Sequence, residues 1–143
     1  MLAVLTQYDP QGKNFYLENF NTYMEELVSL SDSIESLSKK LPEEKKTFMV
    51  FHPSFGYFAR DYGFKQLCIE ADGKEPKPKD LQHLIQEAKK SKIQSIFIMP
   101  NFSKRSAEMI AKSLNANVVT LNPLAYDFEK AIKILLETLS KVQ

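Results

Sequence analysis

Cysteine is nearly absent. The 143 residues hold one, Cys68, which excludes an intramolecular disulfide and leaves the redox compartment unread. Its place in the apolar run "QLCIE" suits a buried small hydrophobe. Glycine is scarce as well: there are four, with no GxGxxG or P-loop spacing, which speaks against a dinucleotide or phosphate site. Neither sign of charge dominates. Nineteen Lys and Arg face eighteen Asp and Glu, a net charge of +1, so there is no electrostatic case for nucleic acid or an anionic membrane. The lysine pairs at 39–40, 45–46 and 89–90 lie near glutamates and read as solvated surface. No run approaches the roughly 18 apolar residues of a membrane span. The opening "MLAVLTQYDP" has no basic start and too short an apolar core for a signal peptide. Either the protein is cytosolic or its export signal lies outside this chain.

What is present is an ordinary globular composition, 43% apolar and 26% charged. Asp9-Pro10 is a helix-start signal, with Asp as cap and Pro at the first helical position. Tyr16, Phe20, Tyr23, Leu27, Leu30, Ile34, Leu37 and Leu41 then recur every three or four residues. That spacing predicts a long helix from about Pro10 to Leu41, with a stripe that also resembles a coiled-coil seam. Pro42 stops it.

Beyond residue 46 the pattern changes to alternation. Short apolar runs at 47–51, 65–70, 95–99 and 117–121 read as strands covered on both faces. Helical faces lie between and after them: Leu81, Leu84, Ile85 and Ala88; Ala107, Ile110, Ala111 and Leu114; Phe128, Ala131, Ile132, Leu135, Leu139 and Val142. The loop "EADGKEPKPKD" is turn-rich and charged. Fourfold strand–helix alternation predicts an α/β fold, a four-stranded parallel sheet with flanking helices and right-handed crossovers, preceded by the long helix.

Three strand ends share a feature: His52-Pro53, Met99-Pro100 and Asn122-Pro123. Proline cannot continue the ladder, and in a parallel sheet all three ends fall on the carboxyl edge, where open α/β folds build ligand sites. With Pro53 in the first turn of a helix starting near Ser54, His52 is expected at or beside the N-cap, where the positive helix end favours a neutral ring. Such an imidazole suits a metal ligand or a base; it also suits a strand-end residue bonded to nearby backbone. Neither a complete catalytic set nor a complete metal site is legible. Ser54 stands too near for a triad, no GxSxG occurs, and no acidic orienter is identifiable. His83 lies in a helical pattern and reads as surface, and there is no HxxxH or CxxC. Most of Phe55, Tyr57, Phe58 and Tyr62 are expected in packing rather than in a binding box.

The block "FHPSFGYFARDYGF" resembles the "HDAFGYFARRYGL" region of the zinc- and manganese-binding substrate-binding proteins of bacterial ABC transporters. The likeness continues through "IEADGKEPKPKDLQHLIQEAKKSKIQSIFIMPNFSKRSAEMIAKSLNANVVTLNPL". "YDPQGKNFYLENFNTYMEELVSLSDSI" is similar to the segment leading into that family's linking helix. The resemblance implies a two-lobed receptor of the zinc-uptake type with metal between the lobes. Residues 1–45 would be the linking helix and the end of the preceding lobe, and 46–143 the carboxy-terminal metal-binding lobe. It implies that an amino-terminal lobe with two further histidine ligands, and the secretion signal, lie outside this chain, and that the full-length protein is periplasmic or otherwise extracytoplasmic. His52 matches the third histidine ligand. Asn122 matches a position that is usually an aspartate in "DPL". An uncharged amide there tilts the expected ion toward Zn2+, with Mn2+ second. The implied partner is an ABC permease, the implied chemistry is binding without covalent steps, and binding by this piece alone is expected to be weak or absent. The disulfide of some zinc-binding members has no counterpart, because Cys68 is alone. The rival reading is a helix-mediated homodimer built on the stripe of 16–41.

Overall fold

The aspartate of Asp9-Pro10 organises the start of the chain, though not as a simple helix cap. Its Oδ1 accepts from the Gly12 N–H at 3.1 Å and its Oδ2 from the Tyr16 hydroxyl at 2.7 Å. These bonds, the tyrosine's foremost, hold the Asp9 carboxyl below its ordinary value. The computed structural model, which describes residues 1–70, 73–74, 76–102 and 104–141, places a short helix α1 (Leu2–Tyr8) before this turn and the long helix α2 (Lys13–Lys40) after it. The long helix thus begins three residues later than Asp-Pro suggests. Pro10 sits in the turn, and its carbonyl accepts from Lys13. The apolar stripe of α2 is buried at Leu30 and Ile34 and open at Phe20 and Tyr23. The chain divides into two units, Met1–Ser36 and Leu37–Gln143.

A single 3-10 turn, Glu43–Lys45, leads into the alternating part: β1 (Thr47–Val50), α3 (Gly56–Tyr62), β2 (Lys65–Cys68), α4 (Pro78–Lys90), β3 (Ser95–Ile98), α5 (Lys104–Leu114), β4 (Asn117–Thr120) and α6 (Phe128–Ser140). All four strands are parallel, in the order β2-β1-β3-β4. The expected sheet is therefore the observed one. The central strands β1 and β3 are buried from their second residue onward, as their continuous apolar runs require. β4 is at the edge, and Val118 and Val119 are only partly covered, unlike the expectation of cover on both faces.

Alternate strand residues feed two cores. Met49, Phe51, Leu67, Ile69, Ile96 and Ile98 pack with Ala88 of α4 and with Ala107, Ile110 and Ala111 of α5. Phe48 serves the other core. It is 1% exposed and meets Phe55, Phe58, Phe64 and Phe97 edge-on at 6.2–6.4 Å. The expected inner face of α6 is buried at Ala131, Leu135 and Leu139; Val142 lies outside the described residues, as do Ala71, Asp72 and Glu75 of the loop before α4.

Helices α3, α4 and α5 end alike. A residue in the left-handed region follows each: Gly63 (φ 71°), Lys92 (φ 51°) and Asn115 (φ 54°). The next N–H reaches back five residues, from Phe64 to Ala59, Ile93 to Ala88 and Ala116 to Ala111. This is the Schellman termination, which satisfies end carbonyls and turns the chain directly into the next strand.

Candidate metal centre

β1 ends against two neighbours, and both ends matter for His52. Beyond the strand, Phe51 N–H donates to Phe97 O at 2.8 Å, Ile69 N–H to Val50 O at 3.0 Å, and Glu70 N–H to Phe51 O at 3.0 Å. The β1–β2 register pairs Thr47 with Lys65 and Val50 with Cys68. Continued by two residues, it sets His52 beside Glu70. The side chains meet accordingly, with His52 Nδ1 2.9 Å from Glu70 Oε2. The Glu70 side chain is 7% exposed and that of His52 42%. The ring of Phe102, from the turn after β3, stacks on the imidazole at 5.5 Å and 20°. His52 is thus held on two sides and open on a third.

The helix expected to start near Ser54 starts at Gly56 instead, with Phe55 as its N-cap residue. His52 is not at that helix N-terminus, and the dipole argument for its ring does not apply. The cause is local. A residue before proline avoids the helical region, and the Ser54 N–H closes a tight turn onto His52 O at 2.7 Å. Gln66 Oε1 then accepts the Phe55 N–H at 2.8 Å.

Asn122 follows β4 on the same carboxyl edge, two strands from β1, or about 10 Å at normal strand spacing. Its Oδ1 accepts from the Leu124 N–H at 3.0 Å, and its carbonyl from Ala125 at 3.2 Å. This Asx-turn leaves Asn122 exposed with one oxygen lone pair of the amide uncommitted. Pro100, third of the strand-end prolines, starts the turn that carries Phe102; its neighbour Ser103 lies outside the described residues. Among the described residues no group of three or more His, Cys, Asp and Glu is placed to hold an ion.

The acidic partner of His52 escaped the sequence reading. Glu70 ends the strand run "KQLCIE", and its signal was the parallel register, an offset of eighteen that no local pattern announces. A histidine–carboxylate pair invites comparison with a catalytic triad. Ser54, the nearest hydroxyl in sequence, instead points its Oγ at Met99 Sδ, 3.6 Å away, so no Ser–His–Glu relay is formed. Of the aromatics, Phe55 is buried, Phe58 and Tyr62 are half-buried with their rings tilted at 45° and 5.4 Å apart, and Tyr57 is 78% exposed with the Arg60 guanidinium 5.0 Å over its ring. His83 is exposed on α4, and Cys68 donates to Phe51 O at 3.2 Å.

The strand order supplies a further constraint. β1 is followed by a strand on one side of it and β3 by a strand on the other. The crevice outside the carboxyl ends of β1 and β3 is therefore the topological switch point, where open α/β sheets bind ligands. His52 from β1 and Phe102 from beyond β3 sit there. Fold and site together define an α/β sheet with a carboxylate-paired imidazole, that of His52, at its switch point.

A family model described as "Zinc-uptake complex component A periplasmic" matches residues 1–142, and the chain belongs to that family. It is 32% identical over 124 residues to the high-affinity zinc uptake system protein ZnuA of Bacillus subtilis, covering 85% of this chain and 38% of that protein. It is 34% identical over 118 residues to the zinc-binding lipoprotein AdcA of Streptococcus pneumoniae, covering 80% of this chain and 23% of that one. Among solved structures, a crystal structure of ZnuA superposes with a TM-score of 0.90 at 34% identity, over 99% of this chain and 53% of the other. The chain thus spans about half of that structure and less of the two relatives.

Proposed function

We propose that this chain acts as the carboxy-terminal lobe of a metal receptor that binds a divalent ion and delivers it to an ABC importer permease outside the cytoplasm. Residues 1–45 serve as the linking element and 46–143 as the ion-binding lobe. The ion is cargo, and no covalent step is involved. Zn2+ is the preferred ion and Mn2+ the alternative. The relatives' names support the ion and the transport role, since they are called a high-affinity zinc uptake system protein and a zinc-binding lipoprotein.

One observation carries the reading: His52 stands just past the end of the central strand β1, at the sheet's switch point, with its ring open to solvent on one side. An imidazole nitrogen is a good zinc donor. Asn122 contributes at most one neutral oxygen, a weak ligand or a hydrogen-bond partner to a ligand. One imidazole and one amide do not complete a four-coordinate site, so the remaining ligands come from an amino-terminal lobe outside these 143 residues. Capture between two lobes explains why this lobe alone should hold the ion weakly.

The test is zinc titration calorimetry on the full-length protein. His52→Ala should weaken binding more than about 100-fold, beyond what loss of an outer-shell partner brings; unchanged binding would sink the assignment. The helix-mediated dimer draws only on the exposed side chains of α2, such as Phe20 and Tyr23, and nothing in the comparisons speaks for it.

A further inference from the structure

We infer that Glu70 is a positioning residue of the ion site: its carboxylate fixes the His52 ring in the Nδ1–H tautomer and presents Nε2 to the ion. The inference rests on His52 being a ligand, but its first test does not.

The geometry that supports it is backbone-built. Glu70 reaches His52 because the β1–β2 ladder continues past the strand ends, with the Glu70 N–H on Phe51 O. Its side chain is almost wholly covered, so its rotamer is constrained by packing rather than free to sample solvent. Gly73 lies nearby in the left-handed region (φ 75°), with Glu70 Oε1 3.6 Å from where a Cβ at that glycine would stand. An acceptor-only carboxylate opposite Nδ1 at 2.9 Å is satisfied when Nδ1 carries the proton. Nε2 then bears the lone pair. Phe102, stacked on a face of the ring, restricts its rotation. Tautomer and orientation are thus both set before any ion arrives, which lowers the cost of binding.

Glu70 also brings negative charge to the far side of the imidazole ring, one hydrogen bond from Nδ1. Asn122 supplies none, so among the described strand-end residues named here the carboxylate behind His52 is the one that can balance a dication. A carboxylate–histidine–metal relay raises the donor strength of the imidazole.

The experiment reads two signals. Long-range 15N–1H NMR of the imidazole, in the metal-free chain well above the ordinary imidazole pKa range, reports the tautomer of His52. Calorimetry on the full-length protein reports zinc affinity. The parent should show Nδ1 protonated. Glu70→Ala should lose that preference and bind zinc about 10–100-fold more weakly. Glu70→Gln, isosteric and thus the safer variant for folding, should relax the preference and lose less affinity, since its amide can accept or donate. The inference is overturned if Glu70→Ala keeps the Nδ1–H tautomer, or if the tautomer changes while zinc affinity stays. An unchanged zinc affinity in His52→Ala, with the tautomer still governed by Glu70, would instead overturn the ligand assignment alone.

Discussion

At the scale of the residue, His52 was legible and its partner was not. A histidine between an apolar run and a proline announces a strand end from local sequence. Its hydrogen-bond partner is eighteen residues away, set by the parallel register, and parallel pairing has no turn signature to reveal it. Asn122 was legible in the same way, as a strand-end residue before proline. Placing a carboxylate there tests its role: Asn122→Asp keeps the Asx-turn acceptor, so the fold should be undisturbed. Zinc affinity should rise on the order of tenfold, and manganese affinity by more, because carboxylate oxygen suits the harder ion. Equal affinities by calorimetry would place Asn122 outside the site. Cys68 offers a pH test. Burial pushes its thiol from an ordinary 9.0 to about 11, so the folded chain keeps the proton where the unfolded chain loses it. Stability contributed this way is full below about pH 9 and declines as pH rises toward 11. Cys68 is half-buried rather than fully buried as its apolar run suggests, and thiol reagents at neutral pH should label it more slowly in the folded protein than in urea; equal rates would contradict the raised thiol.

At the scale of the element, the strands and helices were readable because burial and periodicity coincide there. The central strands are continuous apolar runs, and the faces of α4, α5 and α6 recur every three or four residues. Boundaries were less readable. α3 starts late because His52-Pro53-Ser54 closes its own turn, and only one of the three left-handed helix ends carries glycine. Lys92 and Asn115 occupy that conformation without advertising it. Lys92→Gly should therefore raise stability by about 0.5–1 kcal/mol, seen as a higher melting temperature, and Gly63→Ala should lower it by about 1 kcal/mol. Opposite signs would refute the shared termination. Phe48, touching four aromatic rings from one strand position, is the element-scale keystone of its sheet face. Phe48→Ala should cost about 3–5 kcal/mol in denaturant unfolding, and a cost under about 1 kcal/mol would show that the ring cluster closes around the void.

At the scale of the whole molecule, the parallel α/β sheet followed from alternation alone, whereas a metal site did not: among the described residues no group of three or more His, Cys, Asp and Glu is placed to hold an ion. The near-balanced charge makes no electrostatic case for nucleic acid, and among the described residues no helix is long and apolar enough to cross a membrane. The unit Met1–Ser36 exposes Phe15, Phe20, Tyr23 and Val28, each more than 40% accessible, an unusual density of apolar surface for one helix. Light scattering of the 143-residue chain should show concentration-dependent self-association, and a strict monomer would mean that these side chains tolerate water. The claim on which the functional account turns is that His52 donates to the ion. Zinc titration of the full-length protein and its His52→Ala variant measures this directly: the account predicts a loss of more than about 100-fold, and an isotherm that superposes on the parent's would contradict it.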